Sequence, residues 1–183
     1  MQGYSIGAFN HTGEDYCYNG GVLQEVVVTA TARRAYFPLP FYTDSFTKGY
    51  AQFGSRRNGG KRTYAGVDLY APVGTDVYSI TTGTVQRVSE FYRGSYAIEV
   101  DHYSYIGRYT ELMPAAGLKA GAIVSPGQVI GNIADLSLSN SMLHFEMYGG
   151  TAVGSLTNMS NPPYMRRSDL MNPTNFLLNL KIK

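Results

Sequence analysis

Short apolar segments with a two-residue period recur along the chain and predict strands. At residues 66–70, Val67 and Leu69 alternate with Asp68, and residues 142–147 alternate in the same way around His144. Because successive side chains of a strand point to opposite faces of a sheet, one face of each segment is expected to lie in the core. Asp68 and His144 are then expected on the opposite faces.

Further strand-like segments follow, with glycines at the turns and no alternation of strands with helical segments. They are predicted at 76–80, 83–88, 96–102, 106–112, 123–124, 129–133 and 142–148. One helix is predicted near the C-terminus, where Asn172 can cap it, Pro173 suits its first position and residues 175–178 follow. The predicted fold class is all-β: an antiparallel β-sheet or sandwich with a groove and one short C-terminal helix.

The first residues differ in composition from the rest of the chain. Residues 1–21 are rich in Gly, Asn and Tyr and lack periodicity, which predicts a segment without regular structure. The β-branched segment 24–31 predicts an edge strand or packing arm, with a docking segment for a delivery partner as the alternative. We therefore expect an N-terminal extension at 1–35 and one domain at 36–183, with its core at 53–150.

Composition excludes several function classes. The net charge is +2 and only 15% of the residues are charged, so no large field would steer the protein onto nucleic acid or membranes. Cys17 is the single cysteine, which excludes an intramolecular disulfide and a cysteine zinc site. The sequence has neither a signal-peptide pattern nor an apolar run near the roughly 20 residues that span a bilayer. It predicts synthesis in the cytoplasm without a cleavable signal and without a membrane span.

Asp68 and His144 are the candidate metal ligands. If the outward faces of their strands share one groove, the carboxylate and the imidazole could bind the same cation. The residues alone also allow a turn-capping role for Asp68 and a structural, half-buried role for His144.

Six motifs occur in order between residues 53 and 147. They are Arg62-x-Tyr64-x-Gly66-x-Asp68, Ala71-Pro72-x-Gly74-Thr75-x-Val77, Gly83-x-Val85, Tyr109-x-Glu111-Leu112, Gly121-x-x-Val124-x-x-Gly127-Gln128-x-Ile130-Gly131 and Leu143-His144-Phe145-Glu146. Together they resemble the lysostaphin/LytM-type zinc endopeptidases, which cut peptide cross-links in bacterial cell walls. The resemblance implies a lysostaphin-like fold of the duplicated-hybrid-motif type and a peptidoglycan peptide stem or cross-bridge as the ligand.

The resemblance also implies a zinc site that this sequence has altered. In the family a histidine at the position of Tyr64, the aspartate at Asp68 and the histidine at His144 bind zinc, so two of three ligands are retained. The family's two other site histidines fall on Glu111 and Met142. The family commonly has a structural histidine at the position of His102, which follows Asp101 at a strand end, so the resemblance implies a structural role for His102. The implied cofactor is therefore zinc, bound weakly or absent.

The resemblance implies roles for five further side chains. Glu111 is the expected general base, because a glutamate takes the proton from the attacking water in other zinc peptidases. Tyr64 supplies a phenolate ligand, closes the site or stacks on a ligand. Arg62, Tyr109 and Met142 are expected, with Tyr64, to contact the substrate.

Three functions stay open at this point. The first is a metalloendopeptidase that cuts cell-wall peptides, including a delivered antibacterial effector with a delivery or immunity protein as its partner. The second is a catalytically silent domain that binds peptidoglycan or a partner protein through the same groove. The third is a structural part of a secretion or phage-tail apparatus. Any action on the wall is expected in the periplasm or outside the cell.

Overall fold

The computed structural model describes residues 15–19, 22–26, 34–138 and 140–183. The chain divides into two compact units, Met1–Arg33 and Arg34–Lys183. In the first unit, β1 (Asp15–Asn19) pairs antiparallel with β2 (Val22–Val26). Strand β1 corrects the prediction that residues 1–21 lack regular structure, because a strand adjacent in sequence supplies its hydrogen bonds. Of the predicted segment 24–31, residues 27–31 lie outside the described residues.

The second unit is built from short strands, as the alternating pattern predicted. They are β3 (Arg56–Arg57), β4 (Arg62–Thr63), β5 (Val67–Tyr70), β6 (Asp76–Tyr78), β7 (Gly83–Glu90), β8 (Tyr96–Asp101), β9 (Ile106–Pro114), β10 (Ile123–Val124), β11 (Val129–Ile133), β12 (Met142–Tyr148) and β13 (Leu170–Met171). Single-turn 3-10 helices lie at Ser45–Thr47, Gly49–Ala51, Asn58–Gly60 and Tyr92–Gly94.

The described residues contain one α-helix, α1 (Thr174–Leu178), at the predicted place. The Thr174 backbone N–H donates to Asn172 Oδ1 at 3.0 Å, so Asn172 caps the start of the helix as expected. No helix within the described ranges has the length and apolar character needed to cross a bilayer.

In the described part of the chain, nine strands form one antiparallel sheet. Its order is β10-β7-β8-β9-β11-β6, and β12 joins it by pairing with β9, β5 and β13. Strand β9 changes neighbour along its length, because residues 106–110 pair with β12 and residues 112–114 pair with β11. Glu111 lies at this change of partner. The architecture confirms the predicted all-β fold class.

The hydrophobic core lies against one face of this sheet. Val67 and Leu69 of β5 and Leu143 and Phe145 of β12 are fully buried in it. These are the alternate positions that the two-residue period assigned to the core, so the assignment is confirmed. The residues between them, including Asp68, project to the opposite face.

A 3-10 turn covers the outer edge of β5. Ser45 Oγ donates to the Asp68 carbonyl at 2.8 Å and accepts the Tyr70 N–H at 3.1 Å. One hydroxyl thus satisfies the two backbone groups that a neighbouring strand would otherwise use. The edge is closed to strand addition, and the backbone that carries Asp68 is held in place.

Candidate functional site

Asp68 and His144 are direct neighbours in the sheet. They are cross-strand partners on β5 and β12, and His144 is in turn opposite Thr110 of β9. Directly opposite residues of antiparallel strands project to the same face. His144 Nδ1 lies 2.9 Å from Asp68 Oδ1, and both residues are 5% exposed. The predicted meeting of these two side chains is confirmed.

The Tyr64 hydroxyl bridges the two side chains. Its oxygen lies 2.5 Å from Asp68 Oδ1 and 2.8 Å from His144 Nδ1. The phenol ring tilts against the imidazole, with the ring centroids 4.9 Å apart. The three residues therefore form one hydrogen-bonded group, which we call the Tyr64–Asp68–His144 cluster.

Gly66 leaves room for the imidazole of the cluster. A Cβ at this position would lie 2.7 Å from His144 Cε1 and 2.8 Å from His144 Nε2. These distances are far shorter than the roughly 3.5–4.0 Å at which nonbonded carbons pack. The imidazole thus lies directly over the backbone that leads from Tyr64 to Asp68, and only glycine fits there.

A buried ion network holds the other side of the imidazole. His144 Nε2 lies 3.1 Å from Oε1 of Glu146, whose residue is 0% exposed. Arg166 donates to that carboxylate from Nη2 at 2.7 Å and from Nε at 2.9 Å. Arg108 donates from Nη1 at 3.3 Å, and the Tyr148 hydroxyl donates at 2.5 Å. Because both carboxylate oxygens are bonded, Glu146 fixes the orientation of His144.

Sequence reasoning accounts for only part of this network. The alternation around His144 puts Glu146 on the outward face of its strand, as a solvated edge carboxylate or a partner of Arg62 or Arg108, and Arg108 does bond to it. Arg166, however, lies 20 residues later in a segment without periodicity. No local pattern connects an arginine in such a segment to a particular strand residue. Its place is set by the fold of the irregular segment after β12.

The charges of the network set the protonation of the cluster. Burial alone lowers the pKa of His144, but hydrogen bonds to Asp68 and Glu146 outweigh it and raise the pKa to about 9. His144 is therefore a cation at neutral pH. Burial, and then the charge of Asp68, raises the pKa of Tyr64 well above its ordinary value, so the phenol keeps its proton. Burial opposes ionisation of Glu146, yet His144 and Arg166 hold its pKa well below the usual range.

Glu111 reaches the cluster through a β-bulge. It is the extra residue where β9 and β8 shift register, and its φ is +68°. Uninterrupted alternation would leave Glu111 on the core face, whereas the bulge buries Leu112 in the core and leaves Glu111 half-buried. Burial raises the pKa of Glu111, the His144 cation partly opposes this, and Asp68 adds to it. The carboxyl therefore lies within electrostatic reach of the cluster, and its predicted role as a base stays a prediction.

Tyr109 lies in the core, and the prediction that it contacts substrate is wrong. Its side chain is 0% exposed, and its hydroxyl accepts the Ile80 N–H at 3.3 Å. The resemblance implied a place at the site for both Tyr109 and Glu111, but the bulge sends their side chains to opposite faces. The Tyr109 hydroxyl also lies 3.0 Å from Nε2 of His102, whose Nδ1 is 2.9 Å from Thr81 Oγ1. The expected structural role of His102 is confirmed.

Two arginines of the β3–β4 hairpin flank Tyr64. The guanidinium carbon of Arg57 lies 3.6 Å from the centroid of the Tyr64 ring, and Arg57 Nη1 donates to Ser55 Oγ at 2.9 Å. Arg62 is opposite Arg57 in the hairpin, and its Nε is buried without a hydrogen-bond partner in the described residues. Arg57 thus holds the ring in place, a contact that the sequence did not indicate. Arg62 offers an unused donor, and its predicted contact with substrate stays a prediction.

Met142 begins β12 on the same face as His144. It is half-buried and opposite Tyr70 of β5. Nothing in its surroundings assigns it a contact with a ligand, so its predicted substrate role stays a prediction. The same holds for the predicted substrate contact of Tyr64.

The cluster does not fit a catalytic zinc. Such an ion takes three protein ligands and an open position, and tetrahedral ligands about 2.0–2.1 Å from it stand roughly 3.3 Å apart. Among the described residues, no three His, Cys, Asp or Glu side chains are placed to hold a metal ion. The third side chain is a protonated phenol, and the Asp68 and His144 atoms are in hydrogen-bond contact at 2.9 Å. The arrangement is a closed hydrogen-bonded group.

Comparison with known proteins identifies relatives of this chain. The sequence profile of peptidase family M23 matches residues 62–155. L-Ala--D-Glu endopeptidase from Bacillus subtilis (strain 168) is 34% identical over 102 residues, which cover 53% of this chain and 30% of that protein. The similarity thus spans less than one third of that relative's length.

Two solved structures share the fold. The catalytic domain of the antimicrobial peptidase lysostaphin from Staphylococcus simulans matches with a TM-score of 0.53 at 24% identity, covering 72% of this chain and 91% of that chain. A structure of the antimicrobial peptidase lysostaphin from the same organism matches with a TM-score of 0.57 at 23% identity, covering 81% of this chain and 55% of that chain. These matches confirm the lysostaphin-like fold expected from the motifs.

Proposed function

The chain belongs to peptidase family M23, and on that premise we propose that it binds peptides of the bacterial cell wall at the Tyr64–Asp68–His144 cluster without hydrolysing them. The observation that carries the proposal is the position of the Tyr64 hydroxyl, 2.5 Å from Asp68 and 2.8 Å from His144. A phenol stands where the resemblance implies a metal-binding histidine, and it bonds to both remaining ligand positions.

The closed cluster lacks the means to polarise a peptide carbonyl. Metal-assisted hydrolysis needs an ion with an open position for water or substrate. In this chain Asp68 and His144 bond to each other and to the phenol. General base catalysis by one carboxyl such as Glu111 contributes about 10²–10⁴-fold, which is far less than the roughly 10⁶–10¹⁷-fold acceleration typical of enzymes.

Partly exposed side chains at the cluster and beside it offer a surface for a peptide. Tyr64, Glu111 and Met142 are each partly accessible beside the buried Asp68 and His144.

Arg62 supports a carboxylate-bearing peptide as the ligand. The residue is partly exposed and forms no ion pair with a carboxylate of the described residues, so the accessible end of its guanidinium can bind a ligand carboxylate through charge-assisted hydrogen bonds. The name of the Bacillus subtilis relative specifies a bond between L-Ala and D-Glu, and a glutamate-containing peptide carries a suitable carboxylate.

The second candidate function is an endopeptidase, and Glu111 favours it. Its carboxyl is coupled electrostatically to all three residues of the cluster, and burial raises its pKa toward the range useful for proton transfer. In that function Glu111 would take the proton from the attacking water.

We place the binding activity at the cell wall, in the periplasm or outside the cell. A delivery or immunity partner, and membership of a secretion or tail apparatus, are extensions of the same proposal. They rest on the strand-forming pattern of residues 24–31.

Co-sedimentation with purified peptidoglycan sacculi tests the proposal. The protein should pellet with sacculi and release no soluble peptide, with or without added zinc. Arg62→Ala should weaken retention, whereas Arg56→Ala, an exposed arginine of the same hairpin, should not. Zinc-dependent release of peptides by the unmodified protein would establish the endopeptidase instead. Failure to co-sediment would reject wall binding.

A further inference from the structure

A second cleft lies at the far end of the sheet from the cluster. Its volume is about 380 Å³, and it is lined by Gln86 of β7, by the turn between β8 and β9 with the strand residues next to it, and by the glycine-rich loop at residues 149–154. Gly149 directly follows β12 and is five residues beyond His144, which corresponds to about 16 Å along a strand. Tyr148, Leu156 and Ile106 pack together on the face between the two places. The cleft is therefore separate from the cluster.

Tyr103 presents an aromatic ring at this cleft. The residue is 63% exposed, and its φ is +68°, a conformation that bulky residues rarely adopt. The turn around it is held by two bonds: the His102 N–H donates to the Tyr105 carbonyl at 2.9 Å, and the Tyr103 N–H donates to Asp101 Oδ1 at 2.7 Å. The fold thus keeps a large apolar ring in water, in a backbone conformation that favours glycine.

Two planar polar groups line the cleft beside this ring. Gln86 Nε2 donates to Asp101 Oδ2 at 3.3 Å. The amide oxygen and the remaining lone pairs of the carboxylate can accept hydrogen bonds from hydroxyl groups, and the second amide hydrogen can donate one. The pair therefore matches a ligand that carries several hydroxyls at its edge.

The opposite wall of the cleft is the loop at residues 149–154, which exposes backbone and is held in place by hydrogen bonds. A Cβ at Gly150 or Gly154 would meet no atom within 4 Å, so the backbone at these two glycines is open to a ligand. Asp169 Oδ2 accepts the Thr151 N–H at 3.1 Å and anchors the loop. A ligand can approach this wall closely without displacing a side chain.

The charge of the cleft excludes an anion as the preferred ligand. Arg167 is its only arginine or lysine, and it pairs with Asp169 through Nε at 2.7 Å and Nη2 at 2.9 Å. Its Nη1 donates to the Gly154 carbonyl at 3.2 Å. With that cation already paired, the unshared charge is the carboxylate of Asp101, which repels phosphates and carboxylates.

We propose that this cleft binds a neutral sugar ring, stacked on Tyr103 and hydrogen-bonded by Gln86 and Asp101. A sugar ring has an apolar C–H face that packs on an aromatic ring and an edge of hydroxyls that suits planar amide and carboxylate groups. The choice of polymer rests on the proposed function: a wall-binding domain would meet the glycan strand of peptidoglycan here, while the peptide occupies the cluster.

Calorimetric titration with soluble β-1,4-linked N-acetylglucosamine oligomers tests the cleft. The unmodified protein should bind them. Tyr103→Gly should weaken binding at least tenfold while keeping or raising the melting temperature, because glycine suits the positive φ. Tyr92→Ala, which removes a 49% exposed ring at the opposite hairpin, should bind like the unmodified protein. Absence of binding to the unmodified protein, or equal binding by Tyr103→Gly, would overturn the proposal.

A parallel titration with a sugar-free stem peptide separates this inference from the proposed function. Peptide binding should depend on Arg62 and be unchanged in Tyr103→Gly. Sugar binding should be unchanged in Arg62→Ala. If the unmodified protein binds the sugar but not the peptide, the function proposed at the cluster is rejected and the sugar cleft is retained. If it binds the peptide but not the sugar, the sugar cleft is rejected and the proposed function is retained.

Discussion

Replacing Tyr64 with histidine should turn the closed cluster into a zinc site. The change should be measurable as a shift in melting temperature. The substitution removes a hydroxyl that bonds to Asp68 at 2.5 Å and to His144 at 2.8 Å. A hydrogen bond to a charged group contributes about 1.5–3 kcal/mol, so the zinc-free variant should be about 2 kcal/mol less stable. At about 2–4 °C per kcal/mol for a chain of this size, the melting temperature should fall by roughly 4–8 °C.

Zinc should then restore the stability that the Tyr64→His substitution removes. An ion at 100 times its dissociation constant stabilises the folded state by about 2.7 kcal/mol, which corresponds to an increase of roughly 5–11 °C. Thermal unfolding followed by circular dichroism at pH 8, with zinc or with a chelator, measures both steps.

Tyr64→Phe is the matched control, because it loses the same hydroxyl without supplying a ligand. It should show the fall and no response to zinc. A zinc response of equal size in Tyr64→Phe or in the unmodified protein would refute the reasoning, as would the absence of any response in Tyr64→His.

Three further predictions concern the contributions of Glu146, Gly66 and His102 to stability. Glu146→Ala should lower the free energy of unfolding in urea by about 3–5 kcal/mol, because it leaves buried cations without their partner, whereas Asp44→Ala, at an exposed ion pair, should lower it much less; similar losses would contradict the buried network. Gly66→Ala should cost about 1–3 kcal/mol by the same measurement, while Gly149→Ala, whose Cβ would meet its nearest atom at 3.6 Å, should stay within about 0.5 kcal/mol. Burial lowers the pKa of His102 to about 4. Between pH 6.5 and pH 4 the unfolded chain therefore binds a proton that the folded chain does not, and the free energy of unfolding decreases as the pH is lowered. From pH 7 to pH 5 the unmodified protein should lose about 2 kcal/mol more than His102→Asn, and parallel pH profiles would show that this imidazole is not buried in its neutral form.

Local pattern was enough for the strands and for the central pair of the site. A period of two assigns each residue to a face, and the apolar residues at alternate positions decide which face is buried. That is why the bounds of β10, β11 and β12 were predicted to the residue. It is also why Asp68 and His144 could be expected on outward faces, where the structure brings them to 2.9 Å.

The same rule failed at a single bulge. Strict alternation would put Tyr109 and Glu111, two residues apart, on one face, but Glu111 is the extra residue at a register shift with φ +68°. Glutamate carries no local preference for this conformation, so the bulge comes from the demands of the sheet, in which β9 exchanges β12 for β11.

The chain's own pattern thus determined an antiparallel β fold and placed a carboxylate and an imidazole outward on their strands. Tertiary structure alone decided that Tyr64 bonds to both, that Arg57 packs on its ring and that Arg166 reaches the carboxylate behind His144. Periodicity reports the environment of each residue within its own strand. The partner that an outward side chain finds depends on irregular segments far away in sequence, whose course is set by the packing of the whole molecule.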